Sequence, residues 1–112
     1  MNKMSLTALA REQLAAAERS SSGRSAHTVY GGHEHVLRQT LIALAEGQRL
    51  DEHENPGEAT VHVLSGRVRL SAGQDTWEGS AGDLIVVPDA LHSLAAIEAS
   101  AILLSVAKPK AP

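Results

Sequence analysis

The side chains of this sequence best suited to chemistry are two histidines, His53 and His92, each in a segment punctuated by glycine. The first segment runs from Gly47 to Gly66, and the second begins at Gly82. Imidazole nitrogens bind ions such as Fe, Ni, Zn or Mn, so these two histidines are candidate metal ligands. Two imidazoles alone rarely hold a divalent ion tightly, because catalytic sites usually have three protein ligands.

Two further candidate donors lie close to the first segment's centre, but strand parity counts against both. Ala59, Val61 and Val63 are the apolar positions of this strand that we expect to face the interior. Glu58 and His62 lie an odd number of residues from Ala59, so on a strand they point to the opposite face. Glu58 reaches the other face only if the preceding loop bulges. We therefore expect His62 on the outer face, in a structural or interface role.

A second histidine pair, His33 and His35, leaves two interpretations open. On a strand, the H-x-H spacing places both imidazoles on one face, where they bind a metal or complete a site from a neighbouring strand. In a polar loop ahead of a strand at residues 35–45, they have no such role. The four-ligand norm for metal sites favours the loop.

Composition narrows the class of protein. The 112 residues suffice for one domain, and without phenylalanine its core must consist of Leu, Val, Ile and Ala. The absence of cysteine excludes disulfides and thiolate metal sites. A net charge of -3 argues against a nucleic-acid partner. No apolar run approaches the roughly 20 residues of a membrane span, and no signal-peptide pattern begins the chain, so we expect a cytoplasmic protein without a membrane partner.

Periodicity predicts one helix followed by many strands. Residues 5–19 carry an apolar stripe at helical spacing after Ser5, a good N-cap, and Gln13 interrupts that stripe. We expect this helix to pack on the domain or on a second subunit. Short strand-like runs separated by Gly, Pro, Asn and Asp follow near 26–30, 35–45, 48–53, 59–65, 67–72, 75–79, 83–87, 92–97 and 101–107.

So many strands without intervening helices predict an all-β sandwich or barrel. The expected organisation is an N-terminal helix and linker at residues 1–24, a barrel at 25–107 and a frayed tail at 108–112. The strand at 35–45 is apolar at both parities, so the sequence does not assign its inward face.

The two glycine-punctuated segments resemble the two sequence motifs of the cupin family. Cupins carry a first motif of the form G-x5-H-x-H-x3,4-E-x6-G. Gly47, His53 and Gly66 match it, whereas Asn55 replaces the second histidine and Ala59 replaces the glutamate.

The second cupin motif, G-x5-P-x-G-x2-H-x3-N, is also kept in part. Gly82 and Pro88 match it, Ala90 replaces the glycine, and His92 stands one residue early. An alanine stands near the position of the final asparagine. The similarity covers about residues 36–107 and resembles the small single-domain bacterial cupins of the RmlC-like superfamily.

The resemblance implies a double-stranded β-helix, or jelly-roll barrel, with a short N-terminal α-helix. A cupin metal usually has three histidines and one carboxylate, so the resemblance leaves His53 and His92 as strong ligands and Asn55 as a weak one. The pocket is expected to be lined mainly by apolar side chains, including those of Ala59, Val61 and Val63.

The motifs leave three functions open. The chain is a metal-dependent cupin of unassigned reaction that binds a divalent transition metal (Fe, Ni, Zn or Mn), a module that binds a small molecule without metal, or a structural dimer with a filled cavity. Fold alone does not choose among them. Because exposed sheet edges favour pairing and cupins usually pair, a homodimer is predicted.

Overall fold

The computed structural model describes residues 2–54 and 57–108, which form one helix followed by nine strands. These are α1 (Leu6–Arg19), β1 (Arg24–Tyr30), β2 (Leu37–Leu44), β3 (Arg49–His53), β4 (Glu58–Ser65), β5 (Arg67–Ala72), β6 (Asp75–Ser80), β7 (Leu84–Val86), β8 (His92–Ala96) and β9 (Ser100–Ala107). All nine predicted strands are confirmed, with shifts of one or two residues at their ends. Of the predicted frayed tail, only Lys108 lies within the described residues.

The strands form two antiparallel sheets that enclose the main core. The five-stranded sheet has the order β1-β2-β9-β4-β7, and the four-stranded sheet has the order β3-β8-β5-β6. Inward-facing Leu, Val, Ile and Ala side chains from both sheets pack together between them: Leu44, Ala59, Val61, Val63, Val68, Leu70, Ile85, Val87, Leu94, Ala96 and Ile102. The core therefore has the aliphatic composition that the sequence requires, and its burial is the main stabilising contribution to this fold.

Helix α1 packs on the outer face of the five-stranded sheet of its own chain. The Ser5 hydroxyl caps its N-terminus by accepting the Ala8 N–H at 3.1 Å, as predicted. Leu6, Leu9, Ala10 and Leu14 pack against a second apolar cluster on that face, with Leu41 and Ala101 at its centre. Within the described residues, no helix is long and apolar enough to cross a membrane.

Gln13 lies in the apolar stripe of α1 because it has a specific polar partner. Its side-chain oxygen accepts a hydrogen bond from the Ser25 hydroxyl on β1. A polar group placed under a helix without such a partner would be costly, and this bond removes that cost. The apolar side of α1 is thus used within the chain, between helix and sheet.

Strand β2 is buried on both faces, which explains why its sequence shows no alternation. Ile42 and Leu44 contact the main core, whereas Leu41 contacts the helix cluster on the opposite face. A strand that is covered on both faces has apolar residues at both its odd and its even positions. The register with β9 now assigns the inward-facing positions: Arg38, Thr40, Ile42 and Leu44.

Candidate functional site

His53 and His92 lie directly opposite each other at one end of the barrel. Strands β3 and β8 pair antiparallel, first through Leu50 and Leu94, which face the core, and then through His53 and His92. Between these pairs the register shifts, because β3 contributes one more residue than β8. Such a bulge re-aims a side chain, and here it brings His53 to the inner face beside His92 despite its odd spacing from Leu50.

The two imidazole rings are in contact. Their centroids are 4.4 Å apart with an angle of 62° between the ring planes, an edge-to-face arrangement. The residue His92 is only 4% exposed, whereas His53 lies at the exposed rim. We call this end of the barrel, with the two rings, the barrel mouth.

Backbone hydrogen bonds fix which nitrogen of each ring is free. The Nδ1 atom of His53 lies 2.8 Å from the carbonyl oxygen of Asp51, and Nδ1 of His92 lies 2.9 Å from that of Ala90. A carbonyl oxygen only accepts, so in both rings Nδ1 carries the proton and donates it. In the neutral imidazoles, Nε2 therefore keeps a lone pair for a hydrogen-bond donor or a metal ion.

Within the described residues, the site has two candidate metal donors, His53 and His92, fewer than the three protein ligands that a catalytic metal centre usually has. Among residues 2–54 and 57–108, no group of three or more His, Asp or Glu side chains is placed to hold one ion. Ala59 is buried on the inner face, so the position of the cupin glutamate points inward but bears no donor atom. Asn55, the predicted weak ligand, lies outside the described residues.

The other candidate donors lie away from the pair. Glu58 is exposed and opposes Ala107, on the outer parity of β4. His62 opposes Leu103 and Leu84 on the same outer face, in agreement with the parity argument.

His33 and His35 lie in the loop between β1 and β2, because β2 begins only at Leu37. Both residues are exposed, and the His35 ring contacts that of Tyr30 with centroids 5.2 Å apart. Of the two interpretations of this pair, the structure therefore supports the polar loop.

The apolar residues expected around the pocket occupy the inner face of β4. Ala59, Val61 and Val63 are all buried within the main core, where Val63 is fully enclosed. The two histidines thus lie at one end of an interior that is otherwise filled by aliphatic side chains.

A groove of about 960 Å³ lies beside the start of β4 and partly on the outer face. Its lining includes Leu37, Ala59, Thr60, Val86 and Ser105 and neither of the two histidines. We call it the outer groove.

The sequence did not predict that Arg38 faces the interior of the barrel. Arg38 stands opposite Val106, which packs against the main core, so its side chain leaves β2 on the inner face. Strand β2 has apolar residues at both odd and even positions, so the sequence pattern does not show which of its residues face inward.

Comparison with known proteins agrees with this architecture. The sequence profile of the cupin domain matches residues 40–106, well over half of the chain. The chain belongs to the cupin family. Its two sheets are accordingly the two halves of a jelly-roll barrel, and the predicted fold, with one short N-terminal helix, is confirmed.

Three solved structures similar to this cupin have names that state no reaction. A conserved protein of unknown function from Streptococcus pyogenes is 33% identical, with 82% of this chain and 80% of that chain covered and a TM-score of 0.72. A cupin superfamily protein from Desulfitobacterium hafniense is 16% identical, with 77% and 78% covered and a TM-score of 0.71, a likeness of fold alone.

An RmlC-like cupin from Desulfovibrio desulfuricans is 21% identical, with 78% of this chain and 84% of that chain covered and a TM-score of 0.67, again a likeness of fold alone. No protein with a curated description matches this cupin.

Proposed function

We propose that this cupin is a binding module whose mouth holds a small molecule against His53 and His92, with a divalent transition metal ion as a loosely held participant. The observation that carries the proposal is the pair of hydrogen bonds from Nδ1 to the Asp51 and Ala90 carbonyl oxygens. They orient both rings in advance and leave both Nε2 lone pairs available, as in histidines that bind metals.

The donor set fits an exchangeable ion better than a resident one. His53 and His92 would hold Fe, Ni, Zn or Mn through Nε2, and imidazole donors favour the later members of the first transition row. Such an ion supplies Lewis acidity toward an oxygen of the bound molecule. With two strong donors in place of the usual three, its affinity for this site depends on further ligands from the small molecule or from water.

A metal-free binding or structural cupin is the alternative, and Ala59 is the observation that favours it. Its side chain occupies the inward position of the family glutamate and offers only a methyl group. In that case the two Nε2 atoms accept hydrogen bonds from the bound molecule directly. Binding of a small molecule that survives chelation distinguishes this alternative from the metal-assisted one.

Metal titration of the purified chain tests the proposal. We expect far less than one metal ion per chain as purified, and measurable binding of added Ni²⁺ or Zn²⁺ by calorimetry. His53→Ala and His92→Ala should each weaken that binding at least about tenfold, the equivalent of about 1.4 kcal/mol.

His27→Ala is the matched control, because His27 is exposed and opposes Leu41 on the outer side of β1. Equal Ni²⁺ affinity in all three variants and the parent chain would contradict a site at the mouth. A full equivalent of tightly held metal in the purified protein would contradict the loose-binding part of the proposal.

We further propose that the cupin forms a homodimer and acts in the cytoplasm. The location is inferred from the absence of cysteine, which fits a reducing compartment. The dimer is supported by β7, an edge strand whose outward residues Leu84 and Val86 are 61% and 73% exposed. Val86 also lines the outer groove, together with the exposed Val36 and Leu37. A second copy that covers this surface would remove exposed apolar area from water.

A further inference from the structure

A second concave site lies between helix α1 and the end of strand β4, on the outer face of the five-stranded sheet. Its volume is about 310 Å³, at the lower end of the range for small-molecule sites. Leu6, Ala10 and Leu14 line it from the helix, and Leu64 lines it from the strand. The three helix residues are spaced four apart and lie in one row, and the small Ala10 in the middle of that row leaves space against the sheet. We call this site the helix groove.

Ser65 brings an unused hydroxyl group to the helix groove. It opposes Ala101, which belongs to the apolar cluster beneath α1, so its side chain leaves β4 on the outer face. Its Oγ atom is buried and, within residues 2–54 and 57–108, has no hydrogen-bond partner. A buried hydroxyl without a partner destabilises a fold, and this one lines a concave space where a bound molecule can satisfy it.

Arg11 brings a positive charge to the rim of the same groove. It lines the groove although it is exposed, so its charge lies where the groove opens to water. Within the described residues, no acidic side chain forms an ion pair with it. The helix positions three and four residues away are also not acidic: Thr7, Ala8, Leu14 and Ala15. The guanidinium is therefore available to an anion.

The lining as a whole indicates one class of ligand. Its walls are aliphatic, and none of its described residues is aromatic or acidic. A hydrocarbon chain suits such walls, because its burial removes apolar surface from water. The Ser65 hydroxyl can donate to an oxygen, and a guanidinium matches a carboxylate in shape as well as in charge. The groove is thus complementary to an aliphatic chain that ends in a carboxylate.

We propose that the helix groove binds a small aliphatic carboxylate, whose chain packs along Leu6, Ala10 and Leu14. The carboxylate is bound by the Arg11 guanidinium and accepts a hydrogen bond from the Ser65 hydroxyl. This site lies on the outer face of the five-stranded sheet, whereas the histidine pair belongs to the other sheet. It therefore goes beyond the proposed function and needs neither the barrel mouth nor a metal ion.

Titration of the full chain with hexanoate, followed by backbone amide NMR, tests the proposal. Hexanoate should produce saturable shifts at Ala10 and Leu64, and hexylamine, with the opposite charge on the same chain, should bind at least about tenfold more weakly. Arg11→Gln should weaken hexanoate binding to a similar extent. Arg19→Gln is the matched control, because Arg19 is exposed in the last turn of the same helix and does not line the groove.

Ser65→Ala separates a binding role of the hydroxyl from a structural one. It should weaken hexanoate binding at least about threefold. It should not lower the thermal unfolding midpoint of the free chain, because it removes a buried group that has no partner. Ser105→Ala is the control: Ser105 lies on the outer face of the same sheet, but its hydroxyl accepts from the Gln39 side chain at 3.1 Å. That variant should leave hexanoate affinity unchanged.

Four results would overturn the proposal. The first is no saturation by hexanoate up to about 10 mM. The second is an affinity equal to that of hexylamine, or equal in the parent, Arg11→Gln and Ser65→Ala chains. The third is a lower unfolding midpoint in Ser65→Ala, which would show that a water already satisfies the hydroxyl. The fourth is amide shifts at Ala10 that depend on protein concentration alone, which would show that a second copy covers the groove.

The outcome is also distinguishable from that of the proposed function. His53→Ala should leave hexanoate affinity unchanged, since His53 does not line the helix groove. Arg11→Gln should likewise leave Ni²⁺ affinity unchanged. Hexanoate binding that is lost in His53→Ala would contradict a site under α1.

Discussion

The hydrogen bonds of two histidines define their tautomers at the barrel mouth. In His53 and His92 the proton resides on Nδ1, because each Nδ1 faces a carbonyl oxygen two residues earlier in the chain. The sequence motif identified these residues as candidate ligands. It did not predict the register shift in β3 that aligns the rings, since a bulge depends on how two strands pair and not on the sequence of one.

Restoring the lost carboxylate should increase metal affinity. Ala59→Glu places a carboxylate on the inner face of β4, and we expect Ni²⁺ or Mn²⁺ to bind at least about tenfold more tightly, roughly 1.4 kcal/mol, by calorimetry. Without metal, the same variant should be less stable, because the added carboxyl is buried.

Thr60→Glu is the control for this experiment, since Thr60 opposes Ser105 on the outer parity of the same strand. It adds the same charge one residue away but outside the barrel. If both variants gain metal affinity equally, or if neither gains any, Ala59 does not border the metal position.

At the scale of elements, the hairpin β5–β6 carries the clearest electrostatic feature of the molecule. Arg69 and Arg67 each donate to a different oxygen of Glu78 at 2.8 Å. These hydrogen bonds, first from Arg69 and then from Arg67, hold the pKa of Glu78 below its usual value. The three side chains lie on the exposed face of the four-stranded sheet, so salt screens this cluster.

Glu78→Gln should make stability less dependent on pH. Because the folded-state pKa lies below the unfolded-state value, the carboxylate stabilises the fold above its unfolded-state pKa, and this contribution disappears as pH falls through the folded-state pKa. Urea denaturation should show the parent chain more stable at neutral pH, with the difference vanishing in acid. Glu12→Gln on α1 is the control, and a difference that grows in acid would contradict the pairing.

The turn between β4 and β5 requires glycine at position 66. Gly66 has φ +83°, and an added Cβ would lie 2.3 Å from the carbonyl oxygen of Ala99 and from the Ser100 hydroxyl. Gly66→Ala should therefore lower the unfolding free energy by about 1–3 kcal/mol. Gly73→Ala, at φ +59° but with open space around it, should cost less, and equal losses would show that the close approach is unimportant.

Turns and the helix cap could be predicted from the sequence, whereas the inward face of β2 could not. Turn residues at Gly66 and Gly73 and the capped helix at Ser5 are local signals, and these elements agree with prediction. The facing of β2 is not local, because α1 covers the outside of that strand and removes the alternation. Arg38 remained hidden for this reason, although its position follows directly from the register with β9.

At the scale of the whole molecule, the outer groove does not include the histidine pair. Its lining includes Ala59 of the inner face together with the apolar residues Leu37 of β2 and Val86 of β7, but neither His53 nor His92. No sequence pattern predicted this groove, since residues from four strands contribute to its lining and its shape arises only when the sheet assembles.

The exposed surface at β7 predicts the effect of one charge on assembly. Val86→Asp should convert a dimer of twice 11.8 kDa into a monomer of 11.8 kDa in sedimentation at micromolar concentration, because a dimer interface would have to bury the new carboxylate. Met4→Asp changes an exposed apolar residue ahead of α1 and should leave the mass unchanged. A monomeric parent chain, or a Val86→Asp variant that remains dimeric, would exclude this surface as the interface.

A long-range ¹H–¹⁵N spectrum of the histidine side chains, recorded as Zn²⁺ is added, tests the binding site at the mouth most directly. We expect His53 and His92 to begin with the proton on Nδ1, and Zn²⁺ to shift the Nε2 resonances of both while those of His27 stay unchanged. A proton on Nε2 of either ring, or Nε2 resonances that Zn²⁺ leaves in place, would contradict a binding site built on these two imidazoles.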